Sequence, residues 1–369
     1  MAYDGSFQGR VGVQQRVLPV YRALFFDRLA VACEGGLGVF AGAPRDEEAI
    51  TTTDQLEIAR HVKAHNLHLL GGSRYLCFQV GLMEWLNSWD PDVLILEANP
   101  RYIASGRAMT FMHRRARPVL GWGLGAPPIR GPLAELRSIV RQRFLRRFDA
   151  LIAYSNLGAE QYLAAGVLGE RVSVAHNVVS SSTPQLIERS PLVGRPVRVL
   201  FVGRLQARKR IDLLLLACAA LEKKPDLTIV GDGPARIGME QMALNIYPQT
   251  RFVGTQHGDA LEEFFAHADL FVLPGTGGLA VQQAMAHGLP VIVAEGDGTQ
   301  ADLVAGGNGW LVPPDDLGAL VSTLNEALAD PESLRGRGKK SYRMVVERFN
   351  IDAMVEAFVK ALNTVGGEG

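Results

Sequence analysis

Three short stretches carry groups suited to gripping a polyphosphate. In the first, four apolar residues, Val199-Leu-Phe-Val202, run into Gly203-Arg204-Leu-Gln-Ala-Arg208-Lys209-Arg210. A strand there puts Arg204 and Lys209 at its carboxyl end. A planar guanidinium fork beside a compact ammonium makes a clamp for a diphosphate. A solvated basic loop is the plainer reading, and it suits Arg208 and Arg210. The second stretch, Leu227-Thr-Ile-Val-Gly231-Asp232-Gly233-Pro234, is a strand ending in a glycine turn. In the third, an apolar run from Leu270 to Leu273 stops at Pro274-Gly275-Thr276-Gly277-Gly278, and a helix-forming segment from Leu279 to His287 ends at Gly288. Strand, glycine turn, helix, glycine stop and strand make a βαβ unit. Glycines in such a turn let backbone N–H groups approach a ligand, and the helix aims its positive end at the same place. Taken alone, this stretch is equally well an ordinary tight turn.

The elements that must hold these turns alternate along the chain. Strands are expected at 11–17, 37–40, 66–70, 91–97, 118–122, 151–154 and 172–175, with helices at 21–30, 75–89, 102–115, 133–148 and 157–165 between them. Residues 180–196 are polar and proline-punctuated, and read as a linker. The alternation restarts at Val197 and closes on three helices, near 316–329, 331–346 and 351–363. Strands separated by helices of this length imply parallel sheets covered on both faces, here two of them, with ligands at the carboxyl edges of the strands. The expected division is 1–184, 197–349 and a terminal helical segment, 350–369.

Bulk properties agree with two globular domains. The chain has 369 residues, 47% of them hydrophobic, and a formal net charge of zero. That is long for a single core, and it excludes a nucleic-acid binder coated in positive charge. The charge is nonetheless uneven. Between Ala98 and Phe148 stand eleven arginines and a single acid, Glu135. Arg137, Arg141, Arg143, Arg146 and Arg147 share a helix with Leu136, Ile139, Val140, Phe144 and Leu145. The alternatives are a solvated face or peripheral attachment to anionic lipid. The three cysteines, Cys33, Cys77 and Cys218, form no CxxC pair and read as reduced core residues of a cytoplasmic protein. No apolar run of signal-peptide or membrane-spanning length is expected.

Together the three stretches resemble retaining glycosyltransferases of family 4, with the GT-B fold. The matching segments are Gly203-Arg204-Leu205 with Lys209, Val230-Gly231-Asp232-Gly233-Pro234, and Gln283-Ala-Met-Ala-His-Gly-Leu-Pro290-Val-Ile292, followed by Asn308-Gly309-Trp-Leu-Val-Pro-Pro314. The resemblance is specific over residues 197–330. It is looser at Gln15-Arg-Val-Leu-Pro-Val-Tyr-Arg22, which looks like the opening of members that build bacterial surface polysaccharides. It implies two doubly wound, Rossmann-like domains facing across a cleft, with the last helix returning to the N-terminal domain. It implies a nucleotide diphosphate-sugar donor and a glycan or lipid-linked acceptor, with no metal or other cofactor. Arg204 and Lys209 would act on the leaving diphosphate. Gly203, Gly231, Gly233, Thr276, Gly277, Gly278, Leu279 and Gln283 would hold the donor, and Trp122 would face the acceptor; Glu97, at the cleft end of its strand, reads equally as a capping acid or as a contact to acceptor hydroxyls.

The chain departs from the family's pattern in two places. The family carries two glutamates eight positions apart; here the second position is Gln283, and the first falls on Gly275. The amide of Gln283 can still bond ribose hydroxyls. At the first position no carboxylate is left, so backbone N–H groups from Thr276 to Leu279 are expected to meet the sugar. A catalytic histidine common among relatives is replaced by tryptophan, in Gly121-Trp122-Gly-Leu-Gly125. Front-face attack, with the leaving phosphate oxygen taking the acceptor's proton, is then the favoured course.

Among other groups, Asp90-Pro-Asp92 reads as a turn rather than a metal site. Glu295-Gly-Asp297-Gly-Thr299 is either a turn or part of the donor site, and His287 is a helix-end residue. A nucleotide-sugar epimerase or a sugar phosphorylase on the same fold is weaker, for want of cleft carboxylates and of a lysine segment for pyridoxal phosphate. A non-catalytic nucleotide-sugar-binding partner of another transferase is the remaining alternative.

Overall fold

The computed structural model describes residues 5–48, 50–180, 186, 187, 189, 192 and 194–367. The expected linker at 180–196 therefore lies mostly outside the described residues. Contacts divide the chain into two compact units, one of Met1–Asn177 with Ile351–Gly369 and the other of Val178–Asn350.

The first unit contains strands β1 (Val11–Val17), β2 (Leu37–Gly42), β3 (Arg60–Lys63), β4 (His65–Leu69) and β5 (Leu76–Val80). It continues with β6 (Val93–Glu97), β7 (Val119–Gly123), β8 (Ala150–Ala153) and β9 (Val172–Val174). Its helices are α1 (Ala23–Val31), α2 (Leu82–Trp89), α3 (Ser105–His113), α4 (Ala134–Leu145) and α5 (Asn156–Ala164). Seven strands form a parallel sheet in the order β3-β2-β1-β6-β7-β8-β9. The central strand β6 reads Val-Leu-Ile-Leu because it is buried on both faces.

Two segments depart from the expected pattern. The helix expected at 75–89 begins only at Leu82. Ahead of it, Leu76–Val80 pairs antiparallel with His65–Leu69 as a hairpin outside the main sheet. Period-two burial explains the difference: Cys77 and Gln79 point inward, Leu76 and Phe78 less so, and Gly81 breaks the run at φ 88°. The buried Gln79 amide donates to the Gln15 carbonyl at 3.0 Å and to Asn66 Oδ1 at 2.9 Å, tying the hairpin to β1. Strand β3 was not legible in Arg-His-Val-Lys because an edge strand need not be apolar. It is led in by Asp27, whose carboxylate accepts the backbone N–H groups of Glu57, Ile58 and Ala59 at 2.8–3.0 Å.

The terminal helix belongs to this unit. Its apolar positions Met354, Val355, Phe358, Val359 and Leu362 fall on one face and are buried. Phe358 stands edge-on to Trp122 at 4.9 Å and to Phe25 at 5.0 Å between ring centroids. Phe358→Ala is expected to destabilise the unit by about 3–5 kcal/mol, the range for losing a buried phenylalanine. Urea unfolding checks this, with a lowered midpoint at unchanged slope.

The second unit has β10 (Arg198–Val202), β11 (Asp226–Val230), β12 (Arg251–Phe252), β13 (Leu270–Leu273), β14 (Val291–Ala294) and β15 (Gly309–Val312). The first helices between them are α6 (Ile211–Ala220), α7 (Arg236–Ile246), α8 (Gly258–His267) and α9 (Leu279–Ala286). They are followed by α10 (Thr299–Val304), α11 (Leu317–Ala329) and α12 (Pro331–Glu347), and the terminal helix of the first unit is α13 (Ile351–Gly366). The sheet is wholly parallel, in the order β12-β11-β10-β13-β14-β15. The chain order reverses between β10 and β13, so the loops after these two strands open side by side, where such sheets take their ligands. The buried Asp269 fixes the start of β13 by accepting from Arg195, Arg335 and the Arg198 N–H.

Candidate active site

In the second unit the glycine turns of the sequence converge. Gly203 follows β10 at φ 155°, and Gly231 and Gly233 follow β11 at 134° and 157°. These two loops pack backbone on backbone. The Gly203 N–H donates to Val230 O at 3.0 Å, and the Leu205 N–H to Asp232 O at 2.9 Å. A Cβ on Gly231 would sit on the Gly203 carbonyl, and one on Gly233 would lie 2.8 Å from the Leu205 nitrogen. Glycine at both positions is therefore required twice over, by conformation and by space.

The loop after β13 closes against the turn at Ala207–Lys209. The Thr276 N–H donates to the Arg208 carbonyl at 3.1 Å, and Arg208 Nη1 donates to Thr276 Oγ1 at 3.1 Å. Lys209 Nζ donates to the Thr276 carbonyl at 2.6 Å. The Gly275 Cα faces this turn so closely that a Cβ there would lie 2.6 Å from Lys209 Cα. The position where the family's glutamate was sought thus has no room for a side chain. A Cβ on Gly277, at φ 143°, would in turn strike Lys209 Nζ.

The Lys209 ammonium is a charge without a counter-charge. Burial and the neighbouring Arg208 pull its pKa down to about 8. Its bond is to a neutral carbonyl, and among the described residues no carboxylate pairs with it. Helix α9 begins beside it at Gly278, with no side-chain cap on its first N–H groups. Arg204 lies half-buried just past the end of β10.

Gln300 was not anticipated. It is fully buried at the start of α10 and donates through Nε2 to the Gly277 carbonyl at 2.9 Å, holding the glycine turn from behind. A polar residue in the first turn of the helix after a buried strand was the available signal. Its neighbour Asp297 accepts the Thr299 N–H at 3.2 Å, so the segment 295–299 forms a helix-initiating turn. Gln283 sits one turn further along α9 than Leu279 and lines a separate cavity of about 550 Å³ with Asp259 and Glu262 of α8. His287 closes that helix, bonded to the Gln283 carbonyl at 2.7 Å and to Glu262.

In the first unit, a cavity of about 780 Å³ opens at the carboxyl ends of β6 and β7. Glu97 lines it, half-buried, and accepts the Arg16 N–H at 2.9 Å. Burial raises the Glu97 pKa, against the opposing hydrogen bonds from Arg16 and Tyr102. Trp122 shows only 1% of its surface. It is part of the core, boxed in by Phe26, Tyr154 and Phe358, with the Arg22 guanidinium 4.7 Å above its ring, while still contributing to the cavity wall. Asp90 pairs with Arg117, and Asp92 accepts the Arg10 N–H at 2.7 Å, so Asp90-Pro-Asp92 is a structural turn. Among the described residues no group of three or more His, Cys, Asp or Glu side chains is placed to hold a metal ion.

Comparison with known proteins adds to this geometry. Residues 182–344, nearly the whole second unit, match the family described as "Glycosyl transferases group 1". The GDP-mannose-dependent alpha-mannosyltransferase of Mycolicibacterium smegmatis is 31% identical over 234 residues, covering 60% of each chain. The chain spans about half the length of the curated relatives it matches. The apo lipopolysaccharide outer core galactosyltransferase WaaB superposes with a TM-score of 0.68 at 18% identity, over 96% of this chain and 98% of that one. Anabaena Alr3699/HepE, solved in complex with UDP, superposes with a TM-score of 0.72 at 18% identity, over 96% and 99%. At such identity the likeness speaks for architecture: two Rossmann-like parallel-sheet units, in the GT-B fold of glycosyltransferases.

Proposed function

We propose that the protein moves a sugar from a nucleotide diphosphate-sugar to a hydroxyl of a glycan or lipid-linked acceptor, with retention of configuration. The observation that carries this reading is the half-buried Lys209 ammonium, with no carboxylate paired to it among the described residues, set among three glycine turns at the carboxyl edge of a parallel sheet. A diphosphate supplies the counter-charge this ammonium lacks. Arg204 would add a fork to the same anion, and the N–H groups from Gly277 to Leu279 would line the sugar side, the Thr276 N–H being taken by the Arg208 carbonyl. Gln283, one turn along α9, lines the cavity beside α8 rather than the Lys209 loop, so it would take the ribose only if the nucleoside extends into that cavity.

In the reaction, the acceptor oxygen bonds to the anomeric carbon as the bond from that carbon to the phosphate oxygen breaks. The bonding pair leaves with the diphosphate, and the acceptor's proton passes to the departing phosphate oxygen on the same face. Lys209, Arg204 and the amides stabilise the charge that develops. No side-chain nucleophile is needed, which accords with glycine at position 275 and a buried tryptophan at 122. Neither a metal nor another cofactor enters this scheme.

The protein would act in the cytoplasm, and its free, buried cysteines suit a reducing compartment. No helix among the described residues is long and apolar enough to cross a membrane. Contact with an anionic membrane would be peripheral.

Gly275 also favours a second reading, a nucleotide-sugar-binding partner without activity, because no carboxylate can stand where the family's first glutamate would. Two measurements separate the readings. A thermal-shift screen with UDP, GDP, ADP and dTDP should give one diphosphate that stabilises by about 2.7 kcal/mol at a hundred times its Kd. Radiolabelled sugar donors of that base should then be turned over, at least slowly to water. Binding without any turnover favours the inert partner; no binding to any of the four removes both readings.

A further inference from the structure

The cavity of about 780 Å³ in the first unit has a wall of unusual charge. Arg74, Arg101, Arg137 and Arg141 line it, and Glu97 is the only carboxylate among the described lining residues. Glu97 is already engaged by the Arg16 N–H. Arg141 is the telling residue. Its Nη1 donates to Pro127 O at 2.7 Å and its Nη2 to Ala126 O at 3.2 Å, both neutral acceptors. Its Nε is buried with no partner. Burial and the adjacent Arg137 lower its pKa, which is the mark of a guanidinium short of negative charge.

The same helix carries an apolar stripe that stays largely exposed. Leu136 and Val140 line the cavity yet are 56% and 53% exposed, and Ile139 beside them is 45% exposed. Of the whole of α4 only Leu145 is buried. Leu136 and Val140 lie one turn apart, and so do Arg137 and Arg141, so a cationic row runs beside an apolar one. Three further arginines of this region are engaged by the fold. Arg147 bonds the Gly106 carbonyl and Thr110, Arg117 pairs with Asp90, and Arg115 lies over Phe111.

We propose that this cavity receives the phosphate head of a lipid, held by Arg137 and Arg141, with the lipid's apolar chain laid along Leu136 and Val140. The arginine fork selects a tetrahedral oxyanion, and the apolar row selects a hydrocarbon attached to it. A soluble phosphorylated sugar would satisfy the first feature and leave the second unused. The proposal rests on the transferase reading, for which it names the class of acceptor: a lipid whose phosphate-bearing head also carries the accepting hydroxyl.

The test is isothermal titration of the full chain with three probes: inorganic phosphate and, each below its micelle concentration, dodecyl phosphate and neutral dodecyl maltoside. Dodecyl phosphate should bind about tenfold or more tightly than either of the others. Arg141→Gln and, because Arg141 also props the 126–127 loop, the exposed Arg137→Gln should each weaken it about tenfold. Leu136→Ser should weaken dodecyl phosphate and leave inorganic phosphate unchanged. Equal affinity for inorganic and dodecyl phosphate would assign the cavity to a soluble phosphate and overturn the lipid. Equal affinity for the neutral amphiphile would overturn the phosphate, and no binding of dodecyl phosphate would overturn the proposal outright. The nucleoside diphosphate thermal shift, read in parallel, reports on the second unit alone, so a failure of the donor reading shows there and nowhere else.

Discussion

Lys209→Ala is expected to lower turnover by about 10²–10³ with little change in melting temperature, the scale of losing one preorganised donor to developing charge. In the proposed reaction the ammonium would meet the leaving diphosphate, and among the described residues its one side-chain hydrogen bond is to the Thr276 carbonyl. A fall in donor affinity with kcat preserved would instead make Lys209 a ground-state contact. The pH dependence gives an independent check. In the free protein the ammonium is lost as pH rises through about 8. A bound diphosphate raises that pKa, so affinity for the diphosphate should weaken about tenfold between pH 7 and pH 9. In Lys209→Ala the affinity should be flat over the same range. The stability of the ligand-free protein moves the opposite way. Its folded pKa lies below the unfolded value of 10.5, so the unfolded chain binds more protons between the two, and this residue's contribution rises from about pH 8 to 10.5.

Gly275→Ala should be nearly as damaging, by another route. The new Cβ would occupy the space of the Arg208 and Lys209 backbone, so the loop after β13 must separate from the turn that carries the ammonium. Overpacking of this kind costs about 1–3 kcal/mol in stability. The displaced loop should also lose donor affinity, because the Thr276 N–H bond to Arg208 and the Lys209 bond to Thr276 both depend on that approach. Gly275→Glu, which writes the family's acid back into the chain, should be worse than alanine rather than restorative. Melting temperature and donor titration read both variants. An increase in turnover on Gly275→Glu would show that the loop can re-form around an acid, and the account of this glycine would be wrong.

Much of the fold was legible because buried parallel strands write themselves as short apolar runs. Val93–Glu97, Arg198–Val202 and Leu270–Leu273 are read within a residue or two of their observed limits. The polar elements were harder. Arg60–Lys63 forms an edge strand, and Leu76–Val80 pairs in a hairpin outside the main sheet, so neither had to be continuously apolar. The arginine-rich helix looked uniform along its length. Its arginines nonetheless divide by what they meet: Arg147 braces α3, while Arg137 and Arg141 line a cavity.

Residue types and short-range spacing were enough to determine the two sheets, the glycine turns and the presence of Arg204 and Lys209 at a strand's end, since these depend on local hydrophobic period and backbone conformation. What a side chain faces depends on chain brought in from far away. Folding placed the Arg208–Lys209 backbone against Gly275 and left no space for an acid, and it set Gln300 behind the Gly277 carbonyl. It also sealed Trp122 among Phe25, Phe26 and a phenylalanine more than two hundred positions distant. Close packing creates these neighbours, and no local pattern encodes them.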